Sequence, residues 1–254
     1  DPWDEVTILD LAGTCARMRR WDEALAHCGR AIELAPDDIF PYVFGARILR
    51  GRYGNLEEAR RMRERMPDKD AAQQAYFRYE QALLERDSAS AMLWLTKAGD
   101  QIADPISEEA APRALYECEC RVFAGSPGPD VPACLTARAV LEQARELSPG
   151  DPAIHAALGW SYALLGDREK AVASGERALQ LLPPSDDAMA GHSILVRLAK
   201  IYARVGEPYR AVKFLQKALL LPGWISPAIL RVDPAFDPLR RDPRFRELMR
   251  IHGM

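Results

Sequence analysis

Three cationic side chains near the C-terminal end of the chain have the spacing of a binding site. Arg197, Lys200 and Arg204 stand three and four residues apart, so on a helix they share one side. Such a cluster binds carboxylates, because a guanidinium donates two parallel hydrogen bonds to one carboxylate group. We expect these residues to hold an acidic side chain or the C-terminal carboxylate of a peptide. The alternative is an unused solvated surface, or pairing with nearby carboxylates of the chain itself.

The histidines and cysteines show no comparable pattern. The four histidines are scattered along the chain, at His27, His155, His192 and His252. They form no metal-binding or nucleophile–base motif, so we predict no catalytic group and no cofactor. The odd number of cysteines, five at irregular spacing, does not predict a disulfide framework.

One group of cysteines leaves two interpretations open. Cys118 and Cys120 lie on one predicted helix, and Cys134 lies on the next, which should run antiparallel to it. Either all three are buried thiols, or one disulfide joins the two helices in an oxidising compartment. A zinc site is not favoured, because no Cys-x2-Cys pair or spaced pair of histidines accompanies them.

Composition limits the kinds of partner. The chain has 254 residues and a formal net charge of −3. Nucleic-acid binding needs a basic face that neutralises phosphates, so we do not expect it. No segment approaches the ~20 apolar residues that cross a bilayer, so no membrane segment is predicted. Because the chain begins at Asp1, we expect a fragment or a processed product. We favour a cytoplasmic location, with the extracytoplasmic side of a membrane-anchored protein as the alternative.

Pairs of amphipathic helices recur along the chain, and these elements must position the side chains above. Between Pro152 and Ser185, small residues at helical spacing let two helices approach closely. Similar units surround this one. We predict six hairpins within residues 1–222, over residues 4–38, 39–67, 71–105, 107–149, 152–185 and 192–222. The third is predicted as helices over 71–85 and 88–102, and the fourth as helices over 108–124 and 131–147.

The last segment, residues 223–254, changes character. It contains two Asp-Pro pairs that suit helix starts, with Asp as the cap and Pro at the first helical position. We expect a short turn that carries Phe236 and Leu239 inward. A final helix from Pro243 should bury three residues, Phe245, Leu248 and Met249. An array must cover its last exposed apolar face, so we interpret this segment as a terminal cap.

The unit from Pro152 to Ser185 resembles the tetratricopeptide repeat, whose pattern is W-x2-L-G-x2-Y, then A-x3-F, then P, over about 34 residues. The matching residues are His155, Leu158, Gly159, Tyr162, Ala171, Ala178 and Pro183. The tail, D-P-x-F-D-P-L-R-x-D-P-R-F-x-x-L, resembles the end of tetratricopeptide regions in large bacterial signalling proteins. These are serine/threonine kinases, adenylate cyclases and winged-helix regulators. The resemblance implies an all-α, right-handed solenoid of about six hairpins with a helical cap, serving as a non-catalytic sensor or scaffold.

In that family the first helix of each hairpin lines a concave groove. The resemblance therefore implies a protein or peptide ligand held in this groove. The predicted peptide-binding residues are Tyr76, Tyr79, Trp160, Arg197, Lys200 and Arg204. An adaptor for chaperone tails is not favoured, because Ala156 and Ala163 stand where such a clamp needs polar residues.

Two other functions stay open at this point. A homodimer is the first, since the odd cysteines and the aromatic third unit could support self-association. The second is a small-molecule sensor, with the ligand held among Tyr76, Tyr79 and Trp160.

Overall fold

The computed structural model describes residues 4–67, 71–104 and 110–253, and the side chains of residues 71–73 are not described. It divides into two compact units. The first unit contains residues 4–67 together with residues 222–232. The second contains the described residues from 71 to 221 together with residues 233–253.

The described residues are mostly helical. The helices are, in chain order, α1 (Glu5–Arg17), α2 (Trp21–Leu34), α3 (Phe40–Tyr53), α4 (Leu56–Glu64), α5 (Ala71–Leu84), α6 (Ser88–Leu95), α7 (Arg113–Phe123), α8 (Pro132–Leu147), α9 (Pro152–Leu165), α10 (Arg168–Leu181), α11 (Ala188–Arg204), α12 (Pro208–Leu220), α13 (Pro227–Val232) and α14 (Pro243–His252). Two short strands, β1 (Gln101–Ala103) and β2 (Ala110–Pro112), and two 3-10 helices, Gly128–Asp130 and Pro234–Leu239, complete these elements.

Capping residues fix where the hairpins begin and end. The Asp151 carboxylate accepts a hydrogen bond of 2.8 Å from the Ala153 N–H and so caps α9. That helix ends at Gly166, where φ is +84°, a left-handed conformation that glycine adopts without steric cost. Asp87 and Asp187 cap α6 and α11 in the same manner.

The first unit is built from the pairs α1–α2 and α3–α4. Its core contains small side chains without exposed surface, such as Ala12, Ala16 and Ala24. Residues 222–232 belong to the same unit, because α13 packs on α3 and the Trp224 ring packs edge-on against Phe44.

The second unit is built from the pairs α5–α6, α7–α8, α9–α10 and α11–α12, and each pair packs on the next. Helix α14 packs against α12, which buries Phe245 and Leu248 and leaves Met249 half-buried. Phe236 and Leu239 are buried as well. The predicted all-α fold of helical hairpins is therefore confirmed.

The third and fourth hairpins differ from their predicted limits. Helix α6 ends at Leu95 instead of continuing to residue 102, and α7 begins at Arg113 instead of residue 108. Between them, β1 and β2 pair antiparallel with Ile102 opposite Ala111, and both of these side chains are buried. Gly99 disfavours a continuing helix, and the burial alternates with period two along β1. The predicted limits at 105, 107 and 108 lie outside the described residues.

Close approach of α9 and α10 depends on Gly159. A Cβ atom at this position would lie 2.9 Å from the Gly175 backbone nitrogen and 3.0 Å from the Ala171 carbonyl oxygen. We expect Gly159→Ala to lower the free energy of unfolding by about 1–3 kcal/mol, because two backbones would have to separate. Urea denaturation followed by circular dichroism measures this. Gly150→Ala is the matched control, since its Cβ would meet nothing within 4 Å. Equal stability of the two variants would contradict the packing argument.

A buried charge network and its tail segment

A short turn near the C-terminal end of the chain packs within the second unit, against the first helix of its last hairpin. We call residues 233–239 the tail segment; its 3-10 helix packs on α11. Phe236 has no exposed surface, and Ala235 belongs to the same hydrophobic cluster as Val122 of α7 and Trp160 of α9. The tail segment is therefore part of the packed interior, and it covers side chains that the sequence placed in an open groove.

Lys200 pairs with the first aspartate of the tail segment. Its ammonium nitrogen lies 2.8 Å from Asp233 Oδ2, and the two side chains are 21% and 10% exposed. Burial lowers the pKa of Lys200, but the attraction of Asp233 and Glu119 outweighs it, so the net shift of that pKa is upward. Lys200 therefore stays protonated, paired with Asp233 and attracted electrostatically to Glu119.

Glu119 and Tyr79 form the other half of this network. The Tyr79 hydroxyl donates a hydrogen bond of 2.8 Å to Glu119 Oε2, and both side chains are buried. Burial raises the pKa of Glu119, while Lys200 and Arg197 act in the opposite direction without cancelling the effect. Burial and the neighbouring Glu119 raise the pKa of Tyr79 well above its ordinary value. Tyr79 therefore remains a hydrogen-bond donor at all physiological pH values.

The second aspartate of the tail segment pairs with Arg86, which follows α5. The guanidinium makes two hydrogen bonds to the Asp237 carboxylate, one of them 2.9 Å long. Arg240 binds the same carboxylate at 2.7 Å. Burial raises the pKa of Asp237, but these two arginines outweigh it and lower the pKa overall. The tail segment is thus held at both ends by cations.

Arg204 stands apart from these pairs. It is half-buried and lines a cavity of about 150 Å³. The other lining residues are Arg86, Val122, Phe123, Pro234, Ala235, Asp237 and Pro238. Burial lowers the pKa of Arg204, and within residues 4–67, 71–104 and 110–253 no carboxylate forms an ion pair with it. The residues Arg86, Val122, Phe123, Lys200 and Arg204 are called the tail-binding face below.

The predicted aromatic residues lie in the core. Trp160 has no exposed surface and packs beside Phe123, with ring centroids 6.3 Å apart. Tyr79 is 2% exposed, and the half-buried Tyr76 contacts the Tyr116 ring. Trp160 cannot face an open groove, because α9 is enclosed by α7, α8, α10 and α11. These three aromatic side chains therefore pack the core. Their positions do not support the hypothesis of a small molecule bound among them.

The structure brings together part of the predicted site. Arg204 lines the cavity, Lys200, one helical turn away on α11, pairs with Asp233, and Arg197 interacts electrostatically with Glu119 and Lys200. That these residues bind a peptide stays a prediction. Sequence reasoning missed Arg86, Glu119, Asp233 and Asp237. One signal was available: the two aspartates of the tail segment stand four residues apart, with charges opposite to those of the cationic row.

Of the two interpretations of the cysteines on α7 and α8, the structure has the one with a disulfide. Cys118 of α7 is bonded to Cys134 of α8. The other three cysteines, Cys15, Cys28 and Cys120, are buried thiols, and burial raises the pKa of Cys28 to about 12 and that of Cys120 to about 11. Inert thiols of this kind do not support a dimer linked through cysteine.

Metal clusters and membrane-spanning helices are both missing from the described part of the chain. Among residues 4–67, 71–104 and 110–253, no group of three or more His, Cys, Asp or Glu side chains could hold a metal ion. Within the same ranges, no helix is both long and apolar enough to span a bilayer.

Two models of the family described as "Tetratricopeptide repeat" match the chain, at residues 7–38 and 192–222. Cellulose synthase operon protein C of Escherichia coli strain K12, and the putative protein of the same name of strain O157:H7, are 30% identical to it over 187 residues. That alignment covers 70% of this chain but 14% and 15% of those proteins, so the chain spans about a seventh of their length.

Solved structures that the chain matches include TTC0263, a tetratricopeptide protein of Thermus thermophilus. It is 20% identical, with 98% of this chain and 99% of that chain covered and a TM-score of 0.38. Another is the TPR2AB domain of yeast Sti1 in complex with pHSP90. It is 16% identical, with 96% and 97% covered and a TM-score of 0.31.

The family assignment rests on the sequence models and on the hairpins found where they match. Residues 7–38 form the pair α1–α2, and residues 192–222 form most of the pair α11–α12. The buried alanines of these pairs, such as Ala24 and Ala211, are the small residues that the repeat pattern requires. The chain therefore contains tetratricopeptide repeats, with matches at residues 7–38 and 192–222.

Proposed function

We propose that this chain is a protein-interaction module that binds an acidic peptide segment of its partner on the tail-binding face. Tetratricopeptide proteins generally mediate protein–protein contacts, and their fold is typical of non-catalytic scaffolds. The observation that carries the proposal is Arg204, a half-buried guanidinium without an ion-pair partner among the described residues, in a cavity that Arg86, paired with Asp237, also lines.

The chemistry around Arg204 favours a carboxylate next to an apolar group. Burial has already removed part of the water around the guanidinium, so an incoming carboxylate gains charge-assisted hydrogen bonds at reduced desolvation cost. Phe123 of α7 supplies an apolar wall, and the negative charge of Asp237 is matched by Arg86 and Arg240. The cavity therefore carries a net positive charge.

The size of the cavity favours a peptide over a metabolite. Sites for small molecules usually enclose about 300–1,000 Å³. The cavity beside Arg204 has about 150 Å³, which is room for one side chain or a chain terminus. A partner protein can place such a group there and make its remaining contacts outside the cavity.

We infer further that the module serves a larger bacterial signalling protein. The tail pattern, which resembles the end of tetratricopeptide regions in such proteins, supports this role. The similarity to proteins of Escherichia coli supports a bacterial source.

A peptide selection tests the acidic partner. Random 12-residue peptides are displayed and selected on the folded chain, and the dissociation constant of the enriched peptide is measured by calorimetry. We expect Asp or Glu next to an apolar residue. Arg204→Glu should weaken binding by about 10- to 100-fold, the value of one or two charge-assisted hydrogen bonds.

Arg177→Glu is the matched control for this substitution. Arg177 is exposed on α10, so its reversal changes net charge equally without touching the cavity. Selection of no acidic peptide, or an equal loss of affinity in both variants, would contradict the proposal.

A further inference from the structure

We propose that the tail segment is a self-ligand: it occupies the tail-binding face in cis, and a partner segment with the same chemical pattern displaces it. This rests on the proposed function, because it names the ligand class and the regulation of that same site. The pattern is two aspartates four residues apart, Asp233 and Asp237, with the aromatic Phe236 between them.

The ionic contacts of the tail segment come from elements far apart in the sequence. Asp233 binds Lys200 of α11, and Asp237 binds Arg86 behind α5. These cations precede the aspartates that they bind by 33 and 151 residues, respectively. A segment that merely capped the last hairpin would not need a cation from the opposite end of the unit. The arrangement is that of a bound acidic peptide whose two charges are both matched.

The aromatic residue supplies the apolar part of the same interaction. Phe236 is fully buried, and the Lys200 ammonium lies 5.8 Å from its ring centroid, within range of a cation–π contact. Lys200 therefore contacts two members of the pattern at once. Ala235 beside Phe236 is also buried, in the hydrophobic cluster that includes Val122 of α7 and Trp160 of α9.

Internal hydrogen bonds and two prolines set the backbone conformation of the tail segment. The Ala235 N–H donates to the Asp233 carboxylate at 2.9 Å, and the Phe236 N–H donates to the Asp233 carbonyl at 3.2 Å. Pro234 and Pro238 fix two backbone angles and remove two N–H donors. The conformation is thus set within seven residues, so a separate peptide of this sequence can adopt it and make the same side-chain contacts.

Tethering explains how a weak segment keeps the face occupied. A linked segment acts at an effective concentration in the millimolar range, so a free ligand must compete with it. The apparent association constant of the free ligand is its intrinsic value multiplied by the fraction of molecules whose face is open. A partner has one advantage over the self-ligand, because it can offer a third carboxylate to Arg204, which the tail segment leaves without an ion pair.

The probe for this inference is a fluorescent synthetic peptide of residues 232–239, capped at both ends, whose only charges are those of Asp233 and Asp237. Its binding to the full chain is followed by anisotropy. The natural chain should bind it weakly, because its own segment is in place. In the double variant Asp233→Asn/Asp237→Asn the tethered segment loses its charges while Lys200 and Arg86 are kept. The peptide should bind that variant at least about tenfold more tightly.

Three controls make the result specific. Glu247→Gln removes an exposed carboxylate of α14 that pairs with Arg250, and should leave peptide binding unchanged. A peptide with both aspartates replaced by asparagine should not bind the opened variant. Lys200→Glu added to the opened variant should abolish binding of the original peptide.

Circular dichroism checks that the opened variant keeps its helical content. If it unfolds, Asp237→Asn alone replaces it; this pair is more exposed, so a gain of about threefold is expected. Equal binding of the peptide to natural and opened chains, or no binding to a folded opened chain, overturns the inference. A library peptide that depends on Arg204 but binds both chains equally overturns the self-ligand and leaves the proposed function standing.

Discussion

Replacing Lys200 by methionine should lower the free energy of unfolding by about 3 kcal/mol. The substitution keeps the length of the apolar stem and removes a charge that pairs with Asp233 and attracts Glu119. Asp233 would then be buried without a compensating ammonium, and Glu119 would keep only the smaller attraction of Arg197. Breaking a buried pair from one side costs about 3–5 kcal/mol. We take the lower end of that range because the Lys200 side chain keeps 21% of its exposure.

Urea denaturation followed by circular dichroism measures this loss. Lys213→Met on the exposed side of α12 removes a lysine of equal size and charge, and should change stability by less than about 0.5 kcal/mol. Adding Asp233→Asn to Lys200→Met should restore part of the loss, since one uncompensated charge disappears. A Lys200→Met chain as stable as the Lys213→Met chain would mean that water reaches the pair and screens it.

Helix positions were predictable where local signals agreed. For α9, the Asp151 cap, the apolar spacing and the glycine at residue 166 all indicate one helix, and the structure has it from Pro152 to Leu165. The failure at β1 has a physical cause. Its pairing with β2 depends on contacts across a connection that includes residues outside the described range, whereas the helical pattern before Gly99 is purely local.

The candidate site was harder to predict than the fold. The spacing of Lys200 and Arg204 shows that they share a helix side, but their neighbours come from other elements. Asp233 reaches Lys200 only because the tail turns back onto α11, and no helical period encodes that return. Trp160 was predicted to line a groove and lies in the core. A large aromatic on a first helix suits a groove or a core equally well, and burial by four neighbouring helices decides for the core.

Removing the Cys118–Cys134 disulfide should lower the free energy of unfolding by about 3 kcal/mol. The bond closes a loop with a sequence separation of 16 residues. Opening it returns loop entropy to the unfolded chain, which is worth about 3 kcal/mol for a loop of this size. Because α7 also carries Glu119, Val122 and Phe123, the same bond restrains the wall on which the tail segment rests. Disulfides persist in oxidising compartments, so this stability should depend on where the chain resides.

The measurement is a thermal melt with and without a phosphine reductant. Reduction should lower the midpoint by about 6–12 °C, given about 2–4 °C per kcal/mol for a chain of this size. The double variant Cys118→Ala/Cys134→Ala is the control: its melt should not respond to the reductant, because Cys15, Cys28 and Cys120 are already buried thiols. A natural chain whose melt also fails to respond would show that packing alone holds α7 against α8. A reductant-sensitive double variant would mean that another cysteine pair forms.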